Sequence, residues 1–217
     1  MLLAAGRGER MRPLTEHQPK ALLRVGDKSL IEYHLLALAR AGIVDIVINT
    51  SHLGALLREA LADGKRYGVQ IRYSDEGERP LETAGGIAHA LPLLGRRFLV
   101  VSADVWTDFD FHLLRAPAAS LAHLVLVDNP PHHPRGDFAL LGSTLNNQPH
   151  NRMTYAGIGV YRADLFAQLP ESAAALGPLL RRAAEAGHAT GQHYGGDWLD
   201  VGTPQRLAEL RARVAGE

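Results

Sequence analysis

The chain has 217 residues, with 23 Lys and Arg against 23 Asp and Glu, so its formal charge is zero. That balance excludes the basic surplus on which general binding to nucleic acid or an acidic membrane rests. The absence of cysteine excludes disulfides and thiolate metal sites, while a hydrophobic share of 46% is ample for a real core.

No stretch approaches the ~20 apolar residues of a membrane span. The opening Met1–Ala5 lacks the basic segment and the apolar length of a secretory leader. The expectation is a cytoplasmic protein with neither a membrane nor a nucleic-acid partner. The sequence leaves its oligomeric state open, with a monomer allowed.

Met1–Ala5 reads as a short buried strand running into the turn Gly6-Arg7-Gly8. Arg10 and Arg12 follow, then Pro19-Lys20. Glycines at 6 and 8 let main-chain N–H groups approach an anion with no Cβ in the way, and Arg10 and Lys20 bring positive charge. Ala21–Val25 is extended. Ser29 is placed to cap a helix, with Glu32 closing a capping box and Ile31, Leu35, Leu38 and Ala39 on one face. Gly42 ends it. Val44–Thr50 is a strand, Leu53–Ala62 a helix, Val69–Tyr73 a strand and Thr83–Leu91 a helix. Phe98–Asp104 is an apolar strand that ends in a carboxylate.

The second half is less regular. The pattern predicts a helix over Phe111–Ala119, a strand over Leu124–Val127 and a loop over Asn129–Gly136. Strands are expected at Asp137–Leu141 and Met153–Tyr161, and helices at Asp164–Leu169, Pro178–Ala186 and Pro204–Val214. Two short strands, His193-Tyr194 and Trp198–Val201, lie between the last two helices. Strands alternating with helices predict an α/β fold, Rossmann-like, around a mostly parallel, partly mixed central sheet covered by helices on both faces. No repeat or low-complexity tail appears, so residues 1–217 read as one domain. In such sheets ligands bind beyond the carboxyl ends of strands, which puts the Gly6 turn and Asp104 on one edge.

The glycine turn is not a Walker A loop, since no G-x-x-x-x-G-K-[ST] run exists. Nor is it a dinucleotide fingerprint. Met11 stands where the third glycine belongs, and the strand Ile46–Asn49 ends without a ribose-binding acid. Asp104, and Asp200 within Trp198-Leu199-Asp200-Val201-Gly202-Thr203-Pro204, each read alone as a turn or cap residue. Together they are two hard carboxylates suited to Mg²⁺, which takes one or two carboxylates plus phosphate and water oxygens. Adjacent His132 and His133 point to opposite faces of an extended chain and have no third ligand at helical spacing, so they read as solvated loop residues.

The run L-A-A-G-x-G-x-R-M-x-P-L-T…P-K at Leu3–Lys20, with W-x-D-x-G-T-P at Trp198–Pro204, resembles the sugar-1-phosphate nucleotidyltransferases that make nucleoside-diphosphate sugars. The resemblance spans essentially the whole chain. It implies a nucleotide-binding half over about residues 1–110 and a sugar-phosphate-binding half over 111–217. It implies that Leu3, Ala4, Ala5, Gly6, Arg7 and Gly8 wrap the triphosphate, and that Arg10 and Lys20 serve the transfer. Asp104 and Asp200 would hold Mg²⁺. Thr83 and Gly85 would face the nucleobase, where a bare turn before a helix is the alternative. Gly136 and Gly157 would allow close approach of the sugar phosphate, where hairpin bends are the alternative.

Many members of the family carry Glu-Lys-Pro before the Y-x-G strand. Here that stretch reads Leu145-Asn146-Asn147-Gln148-Pro149-His150-Asn151-Arg152, which argues against ordinary glucose or mannose 1-phosphate. The segments N-P-x-x-H-P-x-G-D-F and T-Y-x-G-I-G-V-Y resemble members that act on N-acetylmuramate 1-phosphate in cell-wall recycling. The implied substrates are therefore UTP and that sugar 1-phosphate. Other sugar 1-phosphates with dTTP, GTP or CTP, or a non-catalytic sugar-nucleotide sensor, are the alternatives.

Overall fold

The computed structural model describes residues 1–78, 81–169 and 172–216. In chain order the strands are β1 Leu2–Leu3, β2 Arg24–Val25, β3 Lys28–Ser29, β4 Asp45–Thr50, β5 Gln70–Asp75, β6 Arg97–Ser102 and β7 Val105–Thr107. They continue as β8 Ala122–Val127, β9 Phe138–Leu141, β10 Thr144–Asn146, β11 Arg152–Arg162, β12 Ala189–His193 and β13 Trp198–Asp200. The α-helices are α1 Leu30–Arg40, α2 Gly54–Leu61, α3 Glu82–Ala90, α4 Leu176–Glu185 and α5 Pro204–Ala215.

The chain forms two compact units. The first comprises Met1–Pro80, Ser102–His112 and Asp197–Glu217; the second comprises Leu81–Val101 and Leu113–Gly196. In the first, β1, β4 and β5 run parallel, with Leu2 opposite Ile48 and Ile48 opposite Tyr73. Helix α1 starts where its sequence dictates. The Ser29 N–H and hydroxyl both reach Glu32 Oε2, at 2.7 and 2.8 Å, closing the capping box. The other Glu32 oxygen accepts from the Tyr67 hydroxyl at 2.7 Å, and Gly42 follows the helix at φ +74°. The core of this unit joins Met11, Val25, Leu30, Trp106, Leu199, Val201 and Leu207, drawn from both ends and the middle of the chain.

The second unit holds the strand order β6-β11-β8-β12-β10-β9. Among the described residues of this unit, β8 and β12 pair in parallel and the other pairs are antiparallel. The parallel part of the fold thus lies where helices separate the strands. The mixed part lies where short turns such as Gly142-Ser143 can only return the chain antiparallel.

Three expectations are corrected. Phe111–Ala119 is not a helix but a single 3₁₀ turn, Phe111–Leu113. Pro117 offers no N–H and biases Ala116 out of the helical region, and the Ala116 and Pro117 carbonyls accept from Arg97 at 2.5 and 2.7 Å instead. Asp164–Leu169 shrinks to the 3₁₀ turn Ala163–Phe166, too short to nucleate an α-helix. The strand expected to end at Asp104 stops at Ser102; Asp104 sits in the turn before β7, which pattern reading missed.

Candidate active site

In the first unit β1 delivers the glycine turn. The Ala4 N–H is taken by the Asn49 side chain at 2.8 Å, which pins the strand end to β4. Gly8 adopts φ +61°, and a Cβ there would stand 3.0 Å from Thr15 Cγ2. Its carbonyl accepts from the Met11 N–H and the Thr15 hydroxyl, both at 2.8 Å. Gly8 is therefore required by the turn itself. Gly6 is different: a Cβ there would meet no protein atom within 4 Å, and its φ is ordinary. Neither packing nor backbone strain asks for glycine at 6, whereas a close-lying ligand would. Met11 replaces the third glycine of a dinucleotide loop because it is a fully buried anchor of the turn.

The remaining candidates of this unit converge beside that turn. Strands β7 and β13 form a two-stranded antiparallel ladder in which Asp200 lies opposite Val105. The Val201 N–H donates to the Asp104 carbonyl at 2.9 Å, so the two aspartates occupy adjoining positions on neighbouring segments. Lys20 Nζ lies 2.7 Å from Asp104 Oδ2, with the Lys20 side chain 10% exposed and that of Asp104 44%. Arg206 Nη1 donates to Asp200 Oδ2 at 2.9 Å. A Cβ on Gly202 would lie 3.0 Å from Asp200 Oδ1 and 3.3 Å from Arg10 Nη2. Arg10, Lys20, Asp104 and Asp200 are thus brought together around two short strands. Arg7 reaches outward to the Glu78 carbonyl at 3.4 Å. Asp200 does not cap the following helix. The Thr203 hydroxyl does, accepting from the Arg206 N–H at 3.4 Å with Pro204 in the first turn.

Two residues escaped sequence reasoning. Arg206 is one, six positions past its partner and outside any recognisable motif. His34 is the other. It is buried on α1, and its Nε2 donates to the Val105 carbonyl at 2.8 Å, holding the strand between the two aspartates from behind. Burial pushes its pKa below the ordinary histidine value, against the raising pull of the Val105 carbonyl and the Asp104 charge. The ring is therefore a neutral donor. A buried polar residue on the apolar face of a predicted helix was the available signal.

Among the described residues no group of three His, Asp or Glu side chains gathers as a metal cage. Two carboxylates on adjoining positions, one of them 44% exposed, nevertheless fit Mg²⁺, which keeps waters and phosphate oxygens as its other ligands.

In the second unit Thr83 and Gly85 fall in the first turns of α3, Thr83 exposed and Gly85 buried. The Gly85 N–H donates to the Ala174 carbonyl at 3.2 Å, and a Cβ there would stand 2.9 Å from the Ser172 carbonyl oxygen. Gly136 adopts φ +57°, and its Cβ would come within 2.8–2.9 Å of the Arg152 main chain. Gly157, at φ +75°, forms the bulge where β11 shifts register against β8. Asp137 accepts from the Tyr155 N–H at 2.9 Å and meets His133 Nε2 at 3.2 Å. In the stretch without Glu-Lys-Pro, Arg152 donates to the Gln148 and Asn147 carbonyls at 2.7 and 2.6 Å, closing the loop on itself.

The whole chain, residues 1–217, matches the Nucleotidyl transferase family. It is 51% identical over 222 residues to the N-acetylmuramate alpha-1-phosphate uridylyltransferase of Neisseria meningitidis serogroup B, covering 98% of this chain and 96% of that one. It is 32% identical over 232 residues to the protein of the same name from Caulobacter vibrioides, covering 99% and 96%. Among solved structures, the inositol-1-phosphate CTP transferase of T. maritima superposes with a TM-score of 0.79 at 17% identity, covering 98% of this chain and 94% of that one. At that identity the likeness speaks for the fold, which is the α/β nucleotidyltransferase fold. With its opening glycine turn and closing W-x-D-x-G-T-P in one compact unit, the chain belongs to the nucleotidyl transferase family.

Proposed function

We propose that this enzyme joins N-acetylmuramate 1-phosphate to UTP, giving UDP-N-acetylmuramate and pyrophosphate in the cytoplasm during cell-wall recycling. A phosphate oxygen of the sugar 1-phosphate attacks the α-phosphorus of UTP. The bond from that phosphorus to the oxygen bridging the β-phosphate breaks, and pyrophosphate leaves with the electron pair. The attacking oxygen is already anionic, so no side-chain base is needed. The protein's work is to align two anions that repel and to offset the charge that gathers between them.

The observation that carries this reading is the adjoining placement of Asp104 and Asp200, each next to a cation, beside the Gly6 turn. Arg10 grips the β- and γ-phosphates, and Lys20 meets the α-phosphate or the incoming phosphate. The main chain of Leu3–Gly8 supports the triphosphate, with Gly6 giving closest approach. Asp104 and Asp200 would hold Mg²⁺, which when bound supplies charge neutralisation to both phosphate groups. Thr83 and Gly85 serve the base. Gly136 and Gly157 shape the sugar side through the backbone turns they permit. The muramate assignment draws on the names of the two relatives and on the missing Glu-Lys-Pro.

The test is incubation with UTP and Mg²⁺ plus either N-acetylmuramate 1-phosphate or glucose 1-phosphate, read by mass detection of the UDP-sugar. Product with the muramate alone is expected. Preference for glucose 1-phosphate would replace the sugar while leaving the reaction class, and binding without product from any pair would favour a sensor.

A further inference from the structure

We infer that Arg206 is a further phosphate-gripping residue of this site, held on Asp200 until a polyphosphate takes it over. The inference rests on the reading that Arg10 and Asp200 serve a nucleoside triphosphate. Arg206 stands in the first turn of α5, with its side chain only 13% exposed. Nη1 donates to Asp200 Oδ2 at 2.9 Å. Nη2 lies against Gly202, at the point where a side chain on that residue would begin. Arg10 Nη2 is 3.3 Å from the same point and Asp200 Oδ1 is 3.0 Å from it. Two guanidinium groups from opposite ends of the chain therefore converge over one glycine, with the Asp200 carboxylate beside them.

Like charges so placed repel. A salt bridge serving merely to staple α5 to β13 would gain nothing from a second guanidinium at its side. An anion lying across both would. Phosphate oxygens suit the planar fork of an arginine, which binds them in pairs. The same arrangement recurs at the other aspartate, where Lys20 occupies Asp104 at 2.7 Å. Each carboxylate suited to a divalent ion thus carries a basic side chain. A carboxylate engaged by a divalent ion would free that base for the phosphates. Arg206 then does for the far end of the polyphosphate what Lys20 does nearer the reacting phosphorus.

The test uses the full chain, with inorganic tripolyphosphate as probe and chelator present, read by titration calorimetry. Binding of Mn²⁺ to the nucleotide-free protein is read separately by electron paramagnetic resonance. Arg206→Gln should weaken tripolyphosphate binding about tenfold, the scale of one lost charge-assisted pair. It should also tighten Mn²⁺, because a competitor for Asp200 is gone. Asp200→Asn should lose Mn²⁺ while keeping or tightening tripolyphosphate, and Arg206→Lys should fall between Gln and the unaltered chain. Circular dichroism checks each fold; were the Gln variant unfolded, the Lys and Asn variants carry the same opposed expectations. Unchanged tripolyphosphate affinity in Arg206→Gln, or weaker Mn²⁺ binding, would overturn the inference and leave Arg206 as a support for Asp200. UTP turnover by the unaltered chain would then still uphold the proposed reaction. Failure of the unaltered chain to bind either UTP or tripolyphosphate would overturn both.

Discussion

Gly6 of the first unit differs from Gly136 and Gly157 of the second in what demands it. In the second unit Gly136 and Gly157 are fixed by the chain itself, one by a positive φ against the Arg152 main chain and the other by a bulge. In the first unit Gly6 has no such demand, since a Cβ there touches nothing and its backbone is ordinary. The charged residues differ too. Asp137 is engaged with the Tyr155 main chain and His133, whereas Asp104 and Asp200 each carry a basic side chain, Lys20 from a distant segment and Arg206 from the helix that follows. A residue whose identity the fold explains says little about chemistry; one that the fold leaves unexplained is where function shows.

The largest effect expected from this contrast is at Arg10. Arg10→Ala removes the proposed charge-stabilising donor and should lower turnover about 100- to 1,000-fold with little loss of melting temperature. Steady-state rates with UTP check it, and near-normal turnover would remove Arg10 from the site. The glycine contrast breaks or holds on a pair of variants. Gly136→Ala should cost about 3 kcal/mol in a denaturant titration, since the new Cβ meets main-chain atoms at a positive φ. Gly6→Ala should stay within about 0.5 kcal/mol of the parent in stability yet raise the KM for UTP about tenfold. Equal stability losses at both positions would erase the distinction.

His34 sharpens the comparison through pH. Its folded pKa lies below the unfolded value of about 6.5, so the unfolded chain binds more protons between the two. Stability from the neutral ring is complete above about pH 6.5 and falls as pH drops below it, by at most ~1.4 kcal/mol per pH unit. Unfolding curves at several pH values, compared with His34→Gln, should show this slope in the parent and not in the variant. The smallest effect is at Ser29. Ser29→Ala opens the capping box of α1 and should cost about 1 kcal/mol without changing turnover.

Much of the candidate site was legible in the sequence because its residues lie in local runs. The glycine turn, Pro19-Lys20 and W-x-D-x-G-T-P are contiguous, and Ser29 with Glu32 is a spacing that physics alone interprets. What stayed hidden depends on contacts that form only once the chain is folded. Strand β7 is three residues long and exists because β13 pairs with it, so no periodicity could announce it. Arg206 looks like any basic residue on an amphipathic helix until Asp200 and Gly202 lie beneath it. His34 sits among apolar helix positions, and only its carbonyl partner explains it. The helix expected at Phe111–Ala119 failed because a proline outweighed a favourable composition.

The central claim is that Asp104 and Asp200 act together in nucleotidyl transfer. It is tested most directly by mass detection of the UDP-sugar formed from UTP and N-acetylmuramate 1-phosphate by the parent, Asp104→Asn and Asp200→Asn. The account predicts product from the parent and at least a 100-fold loss in each folded variant. Turnover close to the parent's in either one would contradict it.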